Sequence, residues 1–481
     1  MLMQEASFTL GLLDREKMLP ASARQTFLLT PSKLYCFLYC FSHSLSMHFR
    51  SLLSFALLAS LPSLAQTITS PLLRAEGPKI VDAQHHEVLL QGMNLGGWLL
   101  QEGYMMKPGY GGTQGSVKKV LYQAGLSDAQ VEKFYQQYRD NFITKADIDF
   151  IAQQGFNCIR LPLHYDLFLT SSQRAMRNGV IRGTVPYAEY VAKLKEWQQK
   201  GELFREPAKL DAIRLIDKVL GWCAANKLYV VLDLHAAPGS QGTDTNIADA
   251  LQANDFWNEP VYQEMTNGLW TALAQRYKND GRIAMYDLIN EPNNVPGGNA
   301  AIQVMFEKLI NTVRATGDQH LLLLEGNGFG NNYNGIEKKT FTHPENLVYN
   351  SHRYSILPKY PLSNAVDASN PDANQLGAIA NLVKFREAQQ VPVWIGETGE
   401  NSAQWMGEAA HNLNSVGIGW CNWTYKRFND KPIAALLRIK PPYPVDVKSA
   451  ADLPIILENI KFKNCVPNPD VIAALKAELK K

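Results

Sequence analysis

Two glutamates stand at the ends of apolar runs that read as strands. Glu291 follows the run 284–290, and Glu397 closes the run 393–397. Other runs end in Arg160, His235, Asn290, His352, Tyr354 and Trp423. Cleavage of a glycosidic bond calls for such a set. One carboxylic acid must protonate the leaving oxygen, and a second carboxylate must attack the anomeric carbon or activate water. An ionised carboxylate needs donors, which Arg160 and Tyr354 would supply. The acid needs a raised pKa, which partial burial and a nearby anion would provide. Asn290 would donate to a sugar 2-hydroxyl, and Trp423 offers a flat apolar face to a pyranose ring. This chemistry requires no metal and no cofactor.

Taken singly, each residue has a plainer reading. Glu291-Pro292 suits the first turn of a helix. A lone histidine such as His235 or His352 is usually a satisfied core residue, and a lone Trp423 is usually packing. Asp233, two residues before His235 on the same strand, reads as a salt-bridge partner. Trp98 reads as packing and His85-His86 as a solvent-facing turn. Asn94 and Glu325 fit either a structural or a site role. It is the convergence of several such groups at strand ends that favours a site.

The elements that would bring them together are eight apolar runs, at 88–94, 157–162, 229–235, 284–290, 320–325, 347–352, 393–397 and 418–423. Most are rich in Val, Ile, Leu and aromatics, as strands buried on both faces are. Amphipathic segments at 146–154, 209–226, 260–277, 301–315, 374–388, 403–413 and 469–480 alternate with them. Such alternation predicts an α/β fold with a parallel sheet, and eight units predict a closed (β/α)₈ TIM barrel, in which the strand C-termini form the active mouth. The stretches 107–124, 171–207 and 426–446 are expected to be long loops lining that mouth. No internal repeat or second domain is apparent.

With 47 basic and 45 acidic side chains, the net charge is +2, and no basic patch with interleaved aromatics favours nucleic acid. Residues 47–65 combine Arg50, an apolar run and the small residues Ser63 and Ala65, the pattern of a signal peptide. Residues 1–46 then read as an upstream extension outside the fold, and 66–481 as one catalytic domain, secreted or periplasmic and free of the membrane once cleaved. Of the six cysteines, Cys36 and Cys40 fall in that extension, and the other four form no CxxC pair and no zinc-finger spacing with His. Cys158, Cys223, Cys421 and Cys465 read as buried apolar residues, with one disulfide as the alternative.

The segments GMNLGGWLLQEGY (92–104), GFNCIRLPLHY (155–165), VVLDLHAAPGSQ (230–241), YDLINEPN (286–293), LLLLEGN (321–327), NSHRY (350–354), WIGETGE (394–400) and GWCNWTYK (419–426) together resemble glycoside hydrolase family 5, retaining β-glycosidases on TIM barrels. The resemblance spans about residues 77–430. It implies that Glu291 is the acid/base and Glu397 the nucleophile, and that Arg160, His235, Asn290, His352, Tyr354 and Trp423 bind substrate. The NLGGWL and APGSQ stretches look most like the exo-glucanase-like branch, which implies a place for Glu102 at the terminal sugar. Two departures bear on linkage: GTDTNIADA follows APGSQ, and Cys421-Asn422 precedes Trp423. The implied substrate is a β-glucan polysaccharide or oligosaccharide. An endo-β-1,4-glucanase, a mannanase and a non-catalytic carbohydrate-binding barrel are the alternatives. The last would be expected to lack one of the two glutamates, and both are present. No G-x-S-x-G elbow, HExxH, GxGxxG or P-loop occurs, which argues against serine hydrolase, zinc hydrolase and nucleotide-binding readings.

Overall fold

Eight parallel strands close on themselves: β1 (Gln91–Asn94), β2 (Cys158–His164), β3 (Tyr229–Ala236), β4 (Ile283–Asp287), β5 (Leu321–Leu324), β6 (Leu347–Tyr354), β7 (Val393–Gly399) and β8 (Gly419–Trp423). Each pairs with its chain neighbours, and β8 pairs with β1 to complete the barrel. The computed structural model describes residues 71–109, 111–249, 251–354, 373–428 and 435–479, all within one compact unit. The expected TIM barrel is the observed fold.

The strands are apolar on both sides, and period-two alternation separates two cores. One parity, including Ile159, Leu161, Val230, Leu232, Tyr286, Leu322, Leu324 and Tyr349, packs into the large cluster shared with the helices. The other parity, including Cys158, Val231, Met285, Leu323, Val348 and Trp394, fills the barrel interior. Two residues further along each strand, that inner face turns polar: Arg160, Asp233, Asp287, Glu325 and Asn350 are all fully buried. The polar layer therefore stacks directly on the apolar one, at the C-terminal ends of the strands. Gly92 on β1 leaves room for its neighbour, because a Cβ there would lie 2.4 Å from Cys158 Sγ.

Helices α1 (Asp128–Phe142) and α2 (Lys145–Gln154) connect β1 to β2. Then follow α3 (Asp211–Ala225), α4 (Pro260–Tyr277), α5 (Gly298–Ala315), α6 (Ile379–Gln389), α7 (Ala403–Ser415) and α8 (Pro469–Glu478). The β5–β6 connection has only short helical turns. Helix α1 starts on a reciprocal Ser127–Gln130 capping box, which satisfies two backbone donors that the helix itself leaves free.

The three expected loops are corrected. The first contains a helix at Gln114–Gln123, and the second contains helices at Ser171–Arg182 and Tyr187–Gln199. The third contributes Lys426–Phe428 and Leu437–Ile439 to a small sheet with Val466–Pro467. The first two segments are helical rather than loops because tertiary partners, not composition, stabilise polar helices with a narrow apolar stripe. The four described cysteines are free, with Cys158, Cys223 and Cys421 buried. The signal-peptide and extension readings at 1–65 lie outside the described residues. Among those described, no helix is long and apolar enough to cross a membrane.

Candidate active site

Arg160 is the hub of the mouth. Its guanidinium, fully buried, donates through Nη1 to Glu397 Oε1 at 2.5 Å and to Asn94 Oδ1 at 3.2 Å. Nε and Nη2 reach Asp287 Oδ2 at 3.0 and 2.8 Å, and Nη2 reaches Asn290 Oδ1 at 2.6 Å. Nη2 also lies 3.2 Å from Asp233 Oδ2. A buried cation is tolerable only with such partners. The planar fork lets one side chain orient several acceptors at once.

Glu397 depends on a bulge. β7 carries one extra residue, between Trp394 and Glu397 in its pairing with β6 and between Ile395 and Thr398 in its pairing with β8. Strict alternation from the inward Trp394 would point Glu397 outward, and the bulge turns it into the mouth. There Tyr354 OH donates to Oε2 at 2.6 Å, opposite the Arg160 contact. Burial alone would raise this carboxyl's pKa. The cationic His352, Arg160 and His235, with the Tyr354 hydroxyl, hold it at about 2.

Glu291 lies just past β4 in left-handed backbone, φ +46°. Its N–H donates to Glu325 Oε2 at 2.8 Å, which braces a conformation uncommon for a non-glycine residue. Its Oε1 lies 2.6 Å from His352 Nδ1. Burial pushes the Glu291 carboxyl up, His352 opposes this, and Glu397 adds to it, leaving the pKa raised. One ligand atom each from Glu291, His352 and Glu397 lie within 4.8 Å of one another. These three could offer ligands to a metal. However, a shared first-row ion at about 2.0–2.2 Å from each donor would hold Nδ1 and Oε1 roughly 3 Å apart. The 2.6 Å contact instead has the length of a charge-assisted hydrogen bond.

The other predicted residues line or support the same mouth. His235 donates through Nδ1 to Asp233 at 2.7 Å, with Nε2 3.5 Å from Glu102 Oε1. Burial would lower its pKa, but Asp233, Glu102 and Glu397 lift it to about 10. Burial raises Glu102 to about 8 despite His235. Trp423 is buried, its ring stacked on His235 at 5.3 Å and 10°, and Nε1 donates to Tyr104 OH at 3.1 Å. It forms cavity wall and floor rather than an open shelf. Asn290 is fully buried, and among the described residues its Nδ2 has no partner. Tyr354 is 39% exposed at the rim. Asp233 forms the expected salt bridges, Trp98 is buried, and His85 and His86 are exposed.

Several residues were missed. Asn350 donates through Nδ2 to Glu325 Oε1 at 2.8 Å and accepts from Gly396 N at 2.7 Å. It thus ties the Glu291 brace to the residue preceding Glu397. Asp287 anchors Arg160. Its position two before the turn into Asn290 was the available signal. Glu325, read as either structural or site, acts as the brace. Tyr104, Glu400 and the wall residues Asp244, Asn246, Ile247, Phe329 and Asn331 also line the cavity of about 800 Å³.

The family model for cellulase (glycosyl hydrolase family 5) matches residues 118–429. The chain belongs to glycosyl hydrolase family 5 and is therefore a glycoside hydrolase. It is 27% identical over 376 residues to a beta-xylosidase of Phanerodontia chrysosporium, covering 74% of this chain and 70% of that protein. It is 26% identical to a probable glucan 1,3-beta-glucosidase A of Aspergillus fumigatus, covering 69% and 68%. The crystal structure of an endogalactoceramidase shares the fold, with a TM-score of 0.50 at 16% identity over 84% of each chain.

Proposed function

We propose that this glycoside hydrolase cleaves β-glucosidic linkages in β-glucans with retention of configuration, Glu397 acting as nucleophile and Glu291 as acid/base. The observation that carries the reading is the approach of the two carboxyls, with atoms within 4.8 Å. Retaining enzymes hold the pair about 5–5.5 Å apart, whereas inverting ones leave about 6.5–9.5 Å for a water. In the first step Glu397 attacks the anomeric carbon and forms a glycosyl ester. The C–O bond to the leaving group breaks as Glu291 transfers its proton to that oxygen. In the second step water attacks the anomeric carbon, Glu291 takes its proton, and the bond from that carbon to Glu397 breaks, releasing the carboxylate. The opposed environments support these roles, since the Glu397 carboxyl is held well below the ordinary carboxylate range and burial raises that of Glu291 above it. Asn290 Nδ2, which meets no acceptor among the described residues, would donate to the sugar 2-hydroxyl. The relative named as a glucan glucosidase supports a β-glucan substrate.

Proton NMR of the first-formed product tests the mechanism: a β-anomer is expected, and an α-anomer would refute retention. A panel of β-1,3-, β-1,4- and β-1,6-glucans and mannan tests the substrate class. Turnover of mannan alone would refute it. The signal-peptide pattern at 47–65 supports export, for which the protein from its native host should begin at Gln66 or a close neighbour.

A further inference from the structure

The cavity has two chemically distinct sides. Glu291 must deliver its proton to the leaving oxygen, so the leaving group lies on its side. Phe329, whose N–H donates to Pro292 O at 3.3 Å, belongs to that side. The transferred ring then meets the linked group Trp423, Tyr104 and Glu400. Trp423 Nε1 donates to Tyr104 OH, and Tyr104 OH donates to Glu400 Oε1 at 3.0 Å.

Nothing in the double displacement uses Glu400, yet it is held with care. It follows β7 in left-handed backbone, φ +50°, uncommon for a residue with a side chain. Arg427 Nη1 donates to the same Oε1 and stacks over the Tyr104 ring, 5.3 Å from its centroid. Arg427 comes from the Lys426–Phe428 strand of the small sheet outside the barrel. Next to it, Lys426 is fixed to Phe142 O and to Asp147, the latter at 2.6 Å. The small sheet thus delivers a counter-ion to the cavity wall. Both donors use Oε1. Among the described residues Oε2 meets no donor, although the side chain is only 24% exposed.

We propose that Glu400 determines specificity for the transferred sugar, with Oε2 accepting a ring hydroxyl remote from the reacting carbon while Tyr104 and Arg427 hold Oε1. This rests on the proposed β-glucosidase chemistry. An anionic acceptor selects a neutral ring with a hydroxyl at that place and disfavours one that lacks it, because an acceptor covered by the bound sugar and left unpaired is costly.

The test measures kcat/KM on 4-nitrophenyl β-glucoside and its 3-, 4- and 6-deoxy analogues. The wild type, Glu400→Gln and the double variant Glu400→Met/Arg427→Met are compared. The double variant removes the carboxylate and its counter-ion together, so that no buried charge is stranded if Glu400→Gln folds poorly. In the wild type one deoxy analogue should lose about 10- to 100-fold, as expected for a hydrogen bond to a charged group. That penalty should shrink in Glu400→Gln and fall to within about 3-fold in the double variant, the other two staying unchanged. Equal deoxy penalties in all three proteins, with a uniform loss of rate, would mean a purely structural Glu400 and overturn the inference. A wild type inert on the aryl β-glucosides and on every β-glucan would instead overturn the proposed activity itself, whereas one active on a β-glucan but inert on the aryl glucosides would overturn the assignment of Glu400 to a single transferred ring.

Discussion

Glu291 and Glu397 meet at one imidazole nitrogen: His352 Nδ1 lies 2.6 Å from Glu291 Oε1 and 3.6 Å from Glu397 Oε2. Burial would drive the proton off this ring, but Glu325, Glu397 and Glu291 hold its pKa well above the ordinary value. The cation offsets the mutual repulsion of the two carboxyls. Of the two carboxyls, Glu397 is the one that receives the Arg160 and Tyr354 donors, so the two acids differ. That difference leads to separate predictions for each.

Glu397→Ala should abolish turnover, by roughly 10⁴-fold or more if the covalent step is lost. Azide should restore activity on activated substrates with an inverted product, seen by NMR. Residual wild-type-like retention in this variant would exclude Glu397 as nucleophile.

Glu291→Ala should cripple substrates with poor leaving groups far more than activated aryl glycosides, which need little protonation. Because the Glu291 pKa is raised, its proton is retained at higher pH and activity falls as pH rises through that value. The alkaline limb of kcat/KM on an activated aryl glucoside should therefore vanish in the variant. Persistence of that limb would assign it to another group.

Glu102 should make the fold pH-sensitive. Its folded pKa is about 8 against an ordinary 4.5. Between these values the unfolded chain has released the proton and the folded chain keeps it, so stability falls as pH rises across that window. Glu102→Gln should remove this loss, worth on the order of a few kcal/mol by pH 8. Thermal melts at pH 5 and pH 8 check it: the wild-type Tm should drop more than the variant's.

Trp423→Ala should fail in two ways. It removes the ring stacked on His235 and leaves a cavity, costing about 3–5 kcal/mol. It should also lower kcat/KM through a misplaced sugar. Trp423→Phe keeps an apolar ring but loses the bond to Tyr104, so it should restore most of the stability and less of the activity. An unchanged kcat/KM in both variants would remove Trp423 from the sugar site.

The order of elements was legible because strands buried on both faces are continuous apolar runs, and each ended in a polar residue that pointed to the mouth. Arg160, His235, Asn290, Glu291, His352, Tyr354, Glu397 and Glu102 stand out because each lies in a recognisable motif within or after such a run. Long-range geometry was not legible. No local pattern reveals that an extra residue in β7 turns Glu397 inward, or that Glu325 and Asn350 brace the pair from β5 and β6. Nor does any reveal that Arg427 reaches Glu400 from a small sheet read as a loop. The sequence by itself determined which residue types end each strand, since hydrophobic periodicity is local. Only the tertiary structure decided which of them touch, because register shifts, bulges and buried hydrogen bonds between distant strands set distances that no spacing along the chain encodes.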